Sequence, residues 1–373
     1  MTGSNKINLM ALIVSMPVGG VETQLLSVLS RLDRDRYSVS ICCIKEAGAL
    51  GEKAAKEGMK VIPLGLMKSS RFSPVIACRI SKAIQEQNVH LLWTHQYVAN
   101  LYGRLAVLKR DMPAVVSNFH ALYDNPKIHR RFFNRLLSAR TDAMVAVSQA
   151  VAADVRRYDG VRAEKVRIIH NGIDLSVFNI AESKAECRRK LGLPEDAVIV
   201  GSVGRLSNEK NHKLIIEAVR RLPEDFKGLI IGDGPLRKTL EEEGGGKFYF
   251  PGQMEYNQIP FALRAMDVFC SPSLWEGFGI SLVEAMAAGL PVVASDLPTH
   301  REIMEEAGAL VPLGDAEGLA DMLKRITGDP ALRAEFGRKS QERAGAFSID
   351  ETVASYEKVF EEAVRKRTRY EKI

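Results

Sequence analysis

Short β-branched apolar runs alternate with amphipathic stretches along almost the whole chain. Ile7–Val14 reads as a first strand, closed by a Pro-x-Gly-Gly loop. The next stretch places Val21, Leu25, Val28, Leu29 and Leu32 on one helical face, at offsets of 4, 7, 8 and 11 residues. Further strands are expected at Ser38–Ile44, Val61–Leu64, Leu91–Thr94, Ala114–Ser117, Met144–Val147 and Val166–Ile169, most of them separated by helical pattern. Such alternation builds a parallel sheet with helices on both faces. A polar stretch runs from His170 to about Pro194, and the pattern then restarts at Val198–Val203, Gly228–Ile231, Phe248–Phe250, Val268–Cys270, Val292–Ala294 and Leu310–Val311. Two α/β domains of one architecture follow, with a boundary near residue 175. The segment Ile349–Lys372 is helical in pattern and highly charged, either a solvated helix or one that crosses back onto the first domain.

A length of 373 residues suits a pair of domains, and 46% apolar with 26% charged residues is ordinary globular composition. Ile7–Val14 is too short to span a bilayer and no small-residue cleavage site follows it, so a soluble, cytoplasmic protein is expected. The five cysteines (Cys42, Cys43, Cys78, Cys187, Cys270) form no C-x-x-C pair and no Cys/His ligand spacing. Cys42, Cys43 and Cys270 sit in apolar runs and read as buried, reduced thiols. Charge is uneven: residues 1–180 hold 25 Lys and Arg against 14 Asp and Glu, while residues 181–373 hold 27 against 32. The first half is therefore suited to an anionic surface or substrate. No finger, basic zipper or aromatic sheet signature points to nucleic acid.

In open parallel sheets, ligands sit beyond the carboxyl ends of the strands. Four loops lie there. Gly19-Gly20, after the first strand, lets backbone N–H groups approach a phosphate or sugar at a helix start; its spacing fails the G-x-G-x-x-G dinucleotide pattern. Gly204–Asn211 carries Arg205 and Lys210, two cations that can stabilise a departing diphosphate. Gly232-Asp233-Gly234-Pro235 reads as a tight turn with Pro opening a helix. In the fourth, Ser271–Glu284, two glutamates eight positions apart flank Gly277-Phe278-Gly279. Glu276 can accept sugar hydroxyls, and the amides of Phe278, Gly279, Ile280 and Ser281 form an anion-binding helix start. Glu284 can accept both hydroxyls of a ribose.

Glu276 to Glu284 resembles the E-x7-E motif of the retaining glycosyltransferases of family 4, which have the GT-B fold. The likeness extends over nearly the whole chain, through Gly19-Gly20, Asn171-Gly172-Ile173-Asp174, Arg205/Lys210 and Gly232-Asp233-Gly234. It implies two Rossmann-like domains facing a cleft: residues 1–174 for the acceptor, 175–350 for the nucleotide-sugar, and a helix over 351–373 returning to the first. By the same likeness Arg205 and Lys210 would hold the donor diphosphate, Glu276 the transferred sugar and Glu284 the ribose, with the Gly19-Gly20 loop closing over the diphosphate. His120, after a first-domain strand, is similar to the family histidine that reaches the donor sugar. His95, also after a strand, either touches the acceptor or is a plain strand-end histidine.

No metal and no cofactor are expected. Asp33-Arg34-Asp35 matches Asp-x-Asp literally but falls between the first helix and second strand, on the edge away from the ligand loops. Nothing resembles a positioned nucleophile with its base. The resemblance implies retention through a same-face, oxocarbenium-like step in which the leaving phosphate helps deprotonate the acceptor. A sugar-nucleotide 2-epimerase, a phosphorylase with a Schiff-base lysine, and a non-catalytic nucleotide-sugar-binding protein are the rival readings.

Residues 104–140 carry eight bases (Arg104, Lys109, Arg110, Lys127, Arg130, Arg131, Arg135, Arg140) and two acids (Asp111, Asp124). Within them Lys127–Ala139 reads as a helix with Ile128, Phe132, Leu136 and Ala139 on an apolar stripe, widened by Phe133 and Leu137. Two readings stand: a sheet-covering helix with solvated cations, or a face that docks on the anionic inner leaflet of the cell membrane and brings the enzyme to a lipid-linked acceptor.

Overall fold

A computed structural model describes residues 6–67, 72–108, 112–123 and 128–370. The chain divides into two compact units, residues 1–172 with 349–373, and residues 173–348.

The first unit runs β1 (Ile7–Ile13), α1 (Gly20–Arg31), β2 (Tyr37–Cys43), α2 (Gly48–Lys56), β3 (Lys60–Pro63), α3 (Pro74–Glu86), β4 (Leu91–His95), α4 (Gln96–Ala106), β5 (Ala114–Phe119), α5 (Ile128–Ser138), β6 (Ala143–Ala146), α6 (Gln149–Asp159) and β7 (Val166–Ile168). The second runs α7 (Lys184–Lys190), β8 (Val198–Val203), α8 (His212–Arg220), β9 (Phe226–Ile231), α9 (Arg237–Gly244), β10 (Phe248–Gly252), α10 (Ile259–Arg264), β11 (Val268–Ser271), α11 (Ile280–Ala287), β12 (Val292–Ser295), α12 (Pro298–Met304), β13 (Ala309–Val311), α13 (Ala316–Gly328) and α14 (Pro330–Ala344). The last helix, α15 (Ile349–Tyr370), belongs to the first unit. Each run expected to be a strand is one, with ends displaced by at most two residues.

Among the described residues, the first sheet has the order β3-β2-β1-β4-β5-β6-β7 and the second β10-β9-β8-β11-β12-β13. Every pairing is parallel. Strand order reverses at β1/β4 in one sheet and at β8/β11 in the other, the positions where loops diverge and leave a crevice for a ligand.

The period-two pattern of β1 explains its layers. Leu9, Ala11 and Ile13 pack with Val28 and Leu29 of α1 and with Tyr356 and Phe360 of α15. Met10 and Leu12 point the other way, into a cluster with Ile76 and Ile80 of α3 and Ala99 and Tyr102 of α4. A strand covered on both faces must be apolar throughout, as β1 is. In the second unit Val200, Ile230, Val268, Cys270 and Val293 of the sheet meet Leu214, Ile215, Leu319 and Leu323 of α8 and α13. Cys42, Cys43, Cys187 and Cys270 are buried free thiols, and Cys78 is exposed. Among the described residues no helix is long and apolar enough to cross a membrane.

α15 is amphipathic. Tyr356 and Phe360 lie 4.8 and 5.1 Å from the Trp93 ring on β4, while Glu357 pairs with Arg36 and Arg367 with Asp142.

α5 departs from a sheet-covering helix. Its buried residues include Asn134 and Leu137, whereas Phe132, Phe133 and Leu136 are 64%, 43% and 59% exposed. Polar contacts hold its inner face. Arg104 of α4, expected on the basic surface, is fully buried; it donates to Asn134 Oδ1 at 2.7 Å and to the Asn100 carbonyl at 2.7 Å. Asn134 in turn donates to Asp159 of α6 at 3.1 Å. A buried guanidinium needs acceptors; Asn134 supplies one to Nη2, and its inward position turns the apolar stripe outward. Ala139, Arg130, Arg131, Arg135 and Arg140 are exposed as well. Lys109, Arg110, Asp111, Asp124, Lys127 and the Ile128 side chain lie outside the described residues.

Candidate functional site

The second unit brings its chemistry to the β8/β11 reversal. The loop after β8 holds Arg205, exposed and with no partner for its guanidinium among the described residues, and Lys210, whose ammonium donates to Glu276 Oε2. Glu276 sits in the loop after β11, its side chain 15% exposed. The Ser273 hydroxyl donates to the same oxygen at 3.3 Å, and Thr299 at the start of α12 donates to the Glu276 carbonyl at 2.8 Å. A charged pair half-removed from water with additional donors is a held geometry rather than a loose surface contact.

The loop's backbone is fixed from the neighbouring strand. Gly232, after β9, has φ +135° and approaches so closely that a Cβ there would lie 1.9 Å from the Gly204 carbonyl oxygen. Leu206 N donates to the Asp233 carbonyl at 2.9 Å. Gly232-Asp233-Gly234 is therefore a brace for the Arg205–Lys210 loop.

Gly279 precedes α11 with φ +97°, a left-handed turn that aims the helix start into the same loop cluster. Phe278 is buried edge-on against Phe347 at 5.6 Å, which anchors the turn. Glu284 follows in the second turn of α11, 6% exposed, and burial pushes its carboxyl up to about 7. Gly277, Ile280, Ser281, Leu282 and Val283 complete the segment between the two glutamates.

Sequence reading missed His300 and Thr299 on α12. His300 is buried, donates from Nδ1 to the Ser295 carbonyl at 2.7 Å, and so offers Nε2 as acceptor to the Ser271 hydroxyl at 3.3 Å. Burial holds it below the ordinary histidine range, hence neutral. The available signal was position alone: both residues follow a strand at its carboxyl end.

In the first unit the loops after β1, β4 and β5 stand side by side. Gly19-Gly20 opens α1. His95 ends β4 and is 1% exposed; its Nδ1 lies 3.0 Å from His120 Nε2 after β5, one nitrogen donating and the other accepting. Of the two expectations for His95, the strand-end position is what the fold displays: its ring is buried and packed against His120. Trp93 packs edge-on against His95 at 4.3 Å and donates to Asn118 Oδ1 at 2.8 Å, and Asn118 reaches the Tyr356 hydroxyl on α15. Burial lowers His120 to about 4 and His95 well below its usual value, so the pair is neutral at pH 7. Asp33 accepts from Asp35 N at 2.8 Å in the turn between α1 and β2, a turn role at the edge away from these loops. Among the described residues, no three His, Cys, Asp or Glu side chains cluster to hold a metal.

Comparison with known proteins gives these loops a family. Residues 18–177 match the description Glycosyltransferase Family 4, and residues 183–343 match Glycosyl transferases group 1. The chain is 29% identical over 358 residues to a phosphatidyl-myo-inositol mannosyltransferase of Mycolicibacterium smegmatis, covering 92% of this chain and 90% of the relative. It is 25% identical over 344 residues to the UDP-Gal:alpha-D-GlcNAc-diphosphoundecaprenol alpha-1,3-galactosyltransferase of Escherichia coli, covering 85% and 87%. The fold is shared with Anabaena HepE, solved in complex with UDP and glucose, at a TM-score of 0.83 and 22% identity over 95% of this chain and 99% of that one. Two family descriptions that between them span most of the sequence, on two parallel sheets with their polar loops at the strand-order reversals, identify the chain as a GT-B glycosyltransferase of family 4.

Proposed function

We propose that this glycosyltransferase moves a sugar from a UDP- or GDP-sugar to a hydroxyl of a glycan or lipid-linked acceptor, with retention and without a metal, in cell-surface polysaccharide or glycolipid synthesis. The observation that carries the reading is the Lys210–Glu276 pair beside buried Glu284 at the β8/β11 reversal. In it, Glu284 accepts the ribose hydroxyls, the α11 amides meet a phosphate, and Arg205 and Lys210 neutralise charge growing on the leaving diphosphate. Glu276 releases Lys210 to the diphosphate and turns to the sugar hydroxyls. Neutral His120, supported by His95, offers a hydrogen bond to a sugar hydroxyl, and the Gly19-Gly20 loop at the start of α1 offers backbone amides to a phosphate or sugar. The names of the Mycolicibacterium and Escherichia relatives, one on phosphatidyl-inositol and one on a diphosphoundecaprenol, support a lipid-linked acceptor.

The inverted α5 supports work at the inner face of the cell membrane. Four exposed arginines lie beside the outward Phe132, Phe133 and Leu136, and each base near an anionic leaflet contributes about 1 kcal/mol.

The test is transfer of labelled sugar from GDP-mannose, UDP-glucose and UDP-galactose in excess EDTA, with the anomeric configuration of product read by NMR. An α-linked product formed in chelator is expected. Inverted product, or activity that needs magnesium or manganese, overturns the corresponding part of the reading.

A further inference from the structure

The strand-order reversal of the first sheet, β1/β4, is spanned by a side-chain hydrogen bond that no motif announces. Gln96, opening α4, donates from Nε2 to Glu22 Oε1 of α1 at 3.0 Å across 74 positions of sequence. Glu22 is 8% exposed, and among the described residues no Lys, Arg or His pairs with it. Burial is the main influence on its carboxyl and raises its pKa. Its other oxygen, Oε2, folds back over the preceding loop, where a Cβ at Gly19 would stand 2.5 Å from it. Gly19 is thus the residue that permits this carboxylate to lie above the loop.

A glutamate in the first turn of a helix is ordinarily a solvated complement to the helix dipole. Such a residue needs neither burial nor a strained partner, and Glu22 has both. Gln96 is held at φ +65°, a left-handed conformation that costs a non-glycine residue about 1 kcal/mol or more and gathers at functional sites. Next to it stand two buried ring nitrogens, His95 Nε2 and His120 Nδ1, that have no partner among the described residues. The loops after three adjacent strands therefore bring together a carboxylate with no counter-cation among the described residues, an amide on a left-handed backbone and two neutral imidazoles.

We infer that Glu22, oriented by Gln96, binds a ring hydroxyl of the acceptor and selects an acceptor ring that carries no phosphate. The inference rests on the transfer reaction proposed above and names the class of its second substrate. A carboxylate only accepts hydrogen bonds, so a hydroxyl satisfies it and a phosphate on the same ring repels it. Positive charge in this unit is offered elsewhere, for example by Arg130 of α5, stacked over the Tyr97 ring at 4.4 Å. An acceptor with a neutral sugar or polyol ring and an anionic group at a distance matches both features.

The test measures transfer from GDP-mannose, UDP-glucose and UDP-galactose to octyl α-D-mannopyranoside, octyl N-acetyl-α-D-glucosaminide and myo-inositol, each beside its ring phosphate. Wild-type protein is expected to use a neutral member with a KM at least about tenfold below that of its phosphate. Glu22→Gln should raise the neutral KM about tenfold or more and erase most of that discrimination, because a charge-assisted bond is lost. Gln96→Gly should raise the same KM to a smaller extent. Removing a buried charge should leave the Glu22→Gln melting temperature at or above wild type, which separates a lost contact from a lost fold. Wild-type KM and discrimination in Glu22→Gln, or transfer to phosphorylated rings alone, overturns this inference and leaves the transferase reading intact. Transfer to no acceptor of either kind sinks both.

Discussion

The loops after β8 and β11 carry Arg205, Lys210, Glu276 and Glu284, while those after β1, β4 and β5 carry Glu22, Gln96, His95 and His120. Both sets occupy a strand-order reversal of a parallel sheet. The second unit gathers an ion pair, Lys210–Glu276, with an exposed guanidinium and a buried carboxyl; the first gathers neutral imidazoles, an amide and a carboxylate with no counter-cation among the described residues. Their responses to protons are opposite in sign as well. Glu284 is raised toward 7, so the folded protein holds its proton more tightly than the unfolded chain does. That contribution to stability is full below the usual carboxylate value and is lost as pH rises through about 7. His120 is lowered to about 4, so its contribution is present above the ordinary histidine value and is lost as pH falls from there to about 4. A parallel sheet supplies the place for a ligand, and the side chains at its edge decide the kind of ligand.

The strongest way to break this comparison is at Glu284. Glu284→Ala should weaken UDP or GDP binding by roughly 100-fold or more, from the loss of two charge-assisted hydrogen bonds to the ribose. Calorimetry that shows wild-type affinity would remove Glu284 from the donor site. Glu284→Gln should melt above wild type at pH 8 and close to it at pH 4, where the carboxyl is already neutral. The gain at pH 8 is at most roughly 3 kcal/mol, less the cost of seating an amide.

Next is the cation. Lys210→Ala should lower kcat by about 10²–10³ with a smaller rise in donor KM, because charge on the leaving diphosphate grows in the transition state. A change confined to KM would make Lys210 a ground-state ligand and bring the second unit's site closer in kind to the first's.

In the first unit, His95→Phe should free the His120 ring and lower kcat by about tenfold with little change in donor KM. His95→Asn, which keeps a hydrogen-bonding group, should recover part of the loss. His120→Asn should flatten the fall in melting temperature between pH 6.5 and 4; His212, lowered by burial to about 4, leaves a residual slope in the second unit. An unchanged acid limb would mean that His120 is solvated and open to titration.

The smallest effect concerns α5. Phe132→Ser with Leu136→Ser should change stability by no more than about 0.5 kcal/mol, since both side chains already face water. The same pair should reduce sedimentation with anionic liposomes, and wild-type sedimentation should fall steeply between 0.1 and 1 M salt, where the screening length shrinks from about 10 to about 3 Å. Equal binding to neutral lipid, or none to either lipid, would leave α5 without a membrane role.

Local chemistry made the strands, the glycine loops and the Glu276–Glu284 segment legible. A buried parallel strand must be continuously apolar, and a loop with the helix that follows it lies within a few residues of sequence. Gly232 shows the same economy: a close backbone approach demands glycine, and glycine is visible in the sequence. The features that only tertiary structure decided join distant residues. Glu22 meets Gln96 74 positions away, His95 meets His120 25 away, and Lys210 meets Glu276 66 away. The apolar pattern of α5 was readable, but its direction was set by Arg104 and Asp159, which bind Asn134 from the helices on either side. Periodicity records that a helix has two faces. Which face turns inward depends on what its neighbours need satisfied, and here a buried guanidinium needed an amide more than the sheet needed phenylalanine.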